Sequence, residues 1–172
     1  MKILLGFLPF AVFAVANRFG STLLALTLAA LTAAVLTLRS LRAKQSLKLL
    51  DVGATLVFGG LAIYTVATHT VWSLLGVRLC TDAGLFAIVA VSLIVRQPFT
   101  IQYAKEEVPE PIWSHPEFLR VNYKLSAIWC AAFAAMVLAD IGVLRGLPLA
   151  FGLAITLAAL ASAAFFTTRA RR

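Results

Sequence analysis

The chain has 172 residues, of which 62% are apolar and only 13% charged, where a soluble domain carries roughly a quarter charged residues. Fifteen Lys and Arg against seven Asp and Glu leave a net charge of +8. In so apolar a chain that balance points to anionic lipid headgroups and away from nucleic acid.

Crossing a hydrocarbon core of about 30 Å at about 1.5 Å per residue takes about 20 residues, and they must be helical because every backbone amide has to find its partner within the segment. The first apolar stretch, residues 3–16, has 14 residues, a reach of only about 21 Å, and Pro9 interrupts it. It predicts a short span or a half-buried helix lying against the others. Lys2, the apolar run and Ala14-Val15-Ala16 also have the form of a secretory signal, but a second apolar stretch follows after only Asn17 and Arg18. Residues 19–38 carry no charge and form a full span, as do residues 49–68, where Asp51 lies near one end.

Between His69 and Arg96 the apolar run is interrupted by Arg78 and Asp82, which places the next membrane helix from about Leu79 to about Val95. Residues 125–144 contain only Asp140, near their end, and residues 146–168 are uncharged, with Pro148 expected in the first helical turn. The fold class is therefore all-α, a polytopic transmembrane helical bundle with five full spans plus a short N-terminal hydrophobic segment, in a single integral membrane domain over residues 1–172. Cys80 and Cys130 lack paired spacing and read as small packing residues.

Lys and Arg are retained on the cytoplasmic side of a membrane. With the C-terminus inside, that side holds Arg39, Arg42, Lys44, Lys48, Arg96, Lys105, Arg120, Lys124, Arg169, Arg171 and Arg172. If the first segment also crosses, the division is 12 inside, with Lys2, against 3 outside, namely Arg18, Arg78 and Arg145. The expected location is a bacterial inner membrane, multi-pass, with a cytoplasmic C-terminus.

The one long polar stretch, residues 96–124, mixes both signs of charge with Phe99, Tyr103, Trp113, Phe118 and Tyr123. Ser114 as N-cap, Glu117 completing a capping box, Pro116 in the first turn and Trp113 stapled to Phe118 predict a helix beginning at about His115 and running into the next span. Residues 98–107 predict a short amphipathic piece against the headgroups. Lys105, Glu106, Glu107 and Trp113 are the candidate partner-docking residues, against a plain solvated loop whose aromatics only fix depth.

Small residues recur every four positions at Ala25, Ala29 and Ala33, at Ala131, Ala135 and Ala139, and at Ala150, Ala154 and Ala158. Such stripes let helices approach closely in lipid and read as internal packing faces, with a homo-oligomer contact as the alternative. Gly59-Gly60 marks a tight crossing or a flexible point. Arg78, Asp82 and Asp140 are the candidate intramembrane polar residues. Arg78 and Asp82 form an i, i+4 pair placed at the outer interface, while Asp140 has only Arg145 nearby in sequence.

No enzyme pattern is present. His69 and His115 fall on opposite sides in this topology, no zinc motif, phosphate loop or nucleophile elbow occurs, and Glu106, Glu107 and Glu110 read as charge balance for Lys105. Neither a metal nor a cofactor is expected.

Four landmarks in chain order resemble the intracellular septation protein A family, the inner membrane-spanning protein YciB. They are MKILLGFLPFAVF with Lys2, Phe7, Leu8 and Pro9; LVFGGLAIY at 56–64 followed by His69; RQPFTIQYAKEEVPEPIW with Pro98, Gln102, Lys105, Glu106, Pro111 and Trp113; and Asn122, Ala127 and Trp129. The order Ala127-Ile128-Trp129 and the residues His115 to Arg120 depart from the family pattern. The resemblance implies a small, non-enzymatic inner-membrane protein of septation, cell division and envelope maintenance, whose partners are other inner-membrane division and envelope proteins. A small transporter or lipid-handling protein using Arg78, Asp82 and Asp140 is the alternative.

Overall fold

The computed structural model describes residues 5–43 and 48–170. Lys2, Lys44, Arg171 and Arg172, which enter the charge asymmetry, lie outside the described residues. The described elements are α1 (Leu8–Phe19), α2 (Thr22–Arg42), α3 (Leu49–Thr68), α4 (Leu74–Ile94), α5 (Phe99–Ala104), a 3-10 turn (Glu110–Ile112), α6 (Pro116–Leu144) and α7 (Leu149–Arg169). Helices α2, α3, α4, α6 and α7 are long and apolar enough to cross a membrane. The all-α architecture is that of a multi-pass membrane protein with a short N-terminal hydrophobic helix.

Two compact units divide the chain, Met1–Ser73 and Leu74–Arg172. In the first, α1 has 12 residues, a length of about 18 Å. Pro9 occupies its first turn, so the interruption expected at that proline falls where the helix starts. Ser21 caps α2 by accepting the Leu24 N–H at 3.2 Å.

Ala25, Ala29 and Ala33 of α2 are fully buried, so this stripe is a packing face within the unit. Phe58 of α3, also fully buried, meets Phe10 and Phe13 of α1 with ring centroids 4.9 and 5.5 Å apart. A Cβ at Gly59 or Gly60 would meet open space, so the pair marks no tight crossing.

In the second unit, the 29-residue α6 packs against α4, α5 and α7. Helix α4 begins at Leu74, ahead of the expected Leu79, so Arg78 lies inside the helix instead of before it, one turn ahead of Asp82. Helices α4 and α6 end alike. Gln97 N–H reaches Ser92 O at 2.9 Å and Arg96 N–H reaches Leu93 O at 3.1 Å; Leu147 N–H reaches Gly142 O at 3.0 Å and Gly146 N–H reaches Val143 O at 3.1 Å. Both turns are Schellman motifs with a left-handed residue, Arg96 at φ 57° and Gly146 at φ 106°, followed two residues on by proline. Pro148 consequently caps α7 instead of sitting in its first turn.

The small-residue stripe on α7 differs from expectation, and that on α6 holds only toward its C-terminal end. On α6 Ala139 is buried, Ala135 half-buried and Ala131 exposed, while on α7 Ala150, Ala154 and Ala158 are all exposed and Gly152, Ala163 and Thr167 are buried instead. The phase of α7 follows its polar contacts and the close approach at Gly152, where an added Cβ would lie 2.6 Å from Val143 Cγ2. Gly152→Ala is expected to destabilise the protein by about 1–3 kcal/mol through overpacking against a β-branched side chain with little freedom to move. Pairing it with Val143→Ala is expected to recover most of that loss, measured by thermal unfolding of the full chain in detergent.

Candidate functional site

Arg78 and Asp82 are one turn apart on α4, and Asp140 lies near the end of α6. The antiparallel packing of these helices, with Tyr123 O–H of α6 donating to Leu93 O of α4 at 3.1 Å near the other end, brings Asp140 level with Arg78. Arg78 Nε is 2.9 Å from Asp140 Oδ1 and 3.9 Å from Asp82 Oδ2. Its Nη2 donates to Thr156 Oγ1 of α7, and the Thr156 hydroxyl donates onward to Gly152 O at 3.0 Å.

The Asp140 side chain is fully buried and that of Asp82 only 9% exposed. Both carboxyl groups lie against the same guanidinium, and Asp140 Oδ2 has no hydrogen-bond donor among the described residues. One guanidinium therefore answers two carboxyl groups from two helices and a hydroxyl from a third.

This arrangement joins Asp140 to the Arg78 and Asp82 pair, from which the sequence alone keeps it separate. The cation beside Asp140 is Arg78, while Arg145 is the exposed C-cap residue of α6. Thr156 was not legible in the sequence. Threonines recur through these helices and many simply bond back to the carbonyl four residues earlier, as Thr27, Thr32 and Thr55 do.

A second candidate site lies at the other end of α6. Phe99 and Tyr103 share one face of α5 and are almost wholly buried. The Thr100 hydroxyl donates to Asn122 O and contacts Ser126 Oγ, both at 2.9 Å, while Asn122 Nδ2 donates to Phe118 O at 2.9 Å.

Beyond α5 the chain returns through the 3-10 turn, so that Lys105 Nζ lies 5.0 Å from the Trp113 ring centroid and the indole N–H donates to Val108 O at 3.1 Å. Lys105 and Glu107 are exposed, whereas Glu106 and Trp113 are half-buried. The expected amphipathic piece at 98–107 is a helix only over Phe99–Ala104, and its apolar face is turned onto α6 instead of the headgroups. The predicted capping box is absent. His115, not Ser114, is the N-cap of α6, because the following proline holds it in extended backbone, and it makes no side-chain cap bond.

Among the described residues no three His, Cys, Asp or Glu side chains converge as metal ligands. Set against known proteins, the chain matches no family model, no curated protein and no solved structure.

Removing one partner from a buried ion pair leaves an unmatched charge, a loss of about 3–5 kcal/mol. Arg78→Gln is expected to lower stability by about that amount, whereas Arg78→Met combined with Asp82→Asn and Asp140→Asn is expected to regain most of it. Unfolding in detergent compares the three proteins directly.

Proposed function

We propose that this chain is a non-enzymatic protein of the bacterial inner membrane, with its C-terminus in the cytoplasm, that supports septation and envelope integrity by docking other membrane proteins on the segment between α4 and α6. The observation that carries this reading is the ordered build of that segment. Thr100 is bonded to Asn122 and Ser126, and Lys105 is stacked on Trp113, so exposed charges are presented on a fixed surface. The resemblance of RQPFTIQYAKEEVPEPIW to the septation protein A family supports the same reading, and the Lys and Arg asymmetry supports the orientation.

A photo-crosslinking residue at Lys105 or Glu107 in living cells is expected to capture division or envelope membrane proteins, identified by mass spectrometry, and Trp113→Ala is expected to weaken that capture. Products identical to those from the lipid-facing position Leu157, with normal division after deletion of the gene, would overturn it. Reporter fusions at Pro109 and after the last residue are expected to read cytoplasmic.

The buried cluster favours a second reading, a small transporter or lipid-handling protein. One guanidinium opposite two carboxyl groups is neutral only with one further positive charge, a proton or a monovalent cation, and intramembrane charges of this kind commonly line a pathway. Under this reading, reconstituted protein moves protons or monovalent cations in liposomes and Asp140→Asn abolishes the flux. Absence of flux in the unaltered protein excludes ion transport through the cluster.

A further inference from the structure

Where α6 begins and α7 ends, the two helices leave an open groove of about 310 Å³ between them. Val121, Leu125 and Ile128, on one face of α6, line it together with Phe166 of α7, and Lys124 and Arg169 stand beside these apolar walls. Both cations are exposed, and neither forms an ion pair with a described residue. The Trp129 indole N–H donates to Thr167 Oγ1 at 3.0 Å, and the Thr167 hydroxyl donates to Ala163 O at 2.8 Å. These bonds tie the same two helices beside the groove and hold its width in place before any ligand arrives.

We propose that this groove seats one anionic phospholipid, with an acyl chain lying between α6 and α7 and the phosphate held between Lys124 Nζ and the Arg169 guanidinium. The chemistry fits that occupant on both counts. The apolar walls offer a hydrocarbon chain close contacts that a smooth helix surface would not. Two adjacent cations at the end of the helices offer a phosphate charge-assisted hydrogen bonds, which for Arg can be bidentate. Inorganic phosphate would satisfy the cations and leave the groove bare, and a zwitterionic lipid would fill the groove while offering the cations no net charge. The site is separate from the Lys105 and Trp113 surface and does not rest on the docking reading.

The full chain, purified in a neutral detergent, is titrated with phosphatidylglycerol, phosphatidylcholine or inorganic phosphate and read by native mass spectrometry. One phosphatidylglycerol is expected to be retained in preference to phosphatidylcholine. The K124Q/R169Q variant is expected to hold it about thirtyfold more weakly, since each near-surface cation contributes about fivefold. Ile128→Trp, which fills the groove and keeps both cations, is expected to displace the lipid as well. Equal retention of the two lipids, retention unchanged in both variants, or displacement by inorganic phosphate at the lipid's own concentration would overturn the proposal. The lipid preference of the unaltered protein decides the matter even where a variant fails to fold.

Discussion

Packed between helices a guanidinium finds little water, and the N–H groups it buries there have to be met by the protein. Arg78 is met by residues of α4, α6 and α7 together: Asp82, Asp140 and Thr156. This contact sets the rotation of three helices about their own axes, because moving any one of them by a single residue carries its partner side chain about 100° away. Apolar surfaces alone would specify that register poorly, since lipid tails compete equally well for Leu and Val faces and burial gives little drive for association.

The same constraint explains why α6 is the hub of its unit. Thr100 comes to it from α5, its Tyr123 reaches a carbonyl of α4, its Trp129 reaches Thr167 of α7, and its Asp140 receives Arg78. Each neighbour is held by at least one polar contact as well as by packing. From Ser126 to Asp140 the helix rises about 21 Å, so the folded surface segment and the ionic cluster occupy opposite ends of one rigid rod. A protein with an exposed platform at one end and a buried charge cluster at the other has two regions that mutation can address separately.

Most of the fold was legible because its signal is collective: twenty or so apolar residues in a row admit few structures once the backbone must satisfy itself. The span at 49–68 coincides with α3, and the helix expected from about His115 begins at Pro116. What misled was local chemistry read without its tertiary partner. Arg78 and Asp82 looked like an interruption because a charge pair is costly in lipid when considered on its own helix, whereas Leu74–Ile94 is one continuous helix whose Arg78 is met by Asp140 of α6. Ser114 looked like a cap because its spacing to Glu117 is right, yet the backbone demanded by Pro116 moves the cap to His115. The alanine stripe on α7 shares the spacing of the α2 stripe, but the partners of α7 lie on another face.

The stoichiometry of the cluster distinguishes a clamp from something more. To pin α4 against α6 and α7, one guanidinium needs one carboxylate and one neutral acceptor, and Asp140 with Thr156 supplies both. Asp82 is then surplus to packing: it lies on the same helix as Arg78, one turn away, and so joins no further pair of helices. A second buried carboxyl group placed against the first adds like-charge repulsion and desolvation when both are ionised. A residue whose structural contribution is that small, kept where its burial is that costly, is the part of the cluster least explained by folding, and it is there that the case for an ionic role begins.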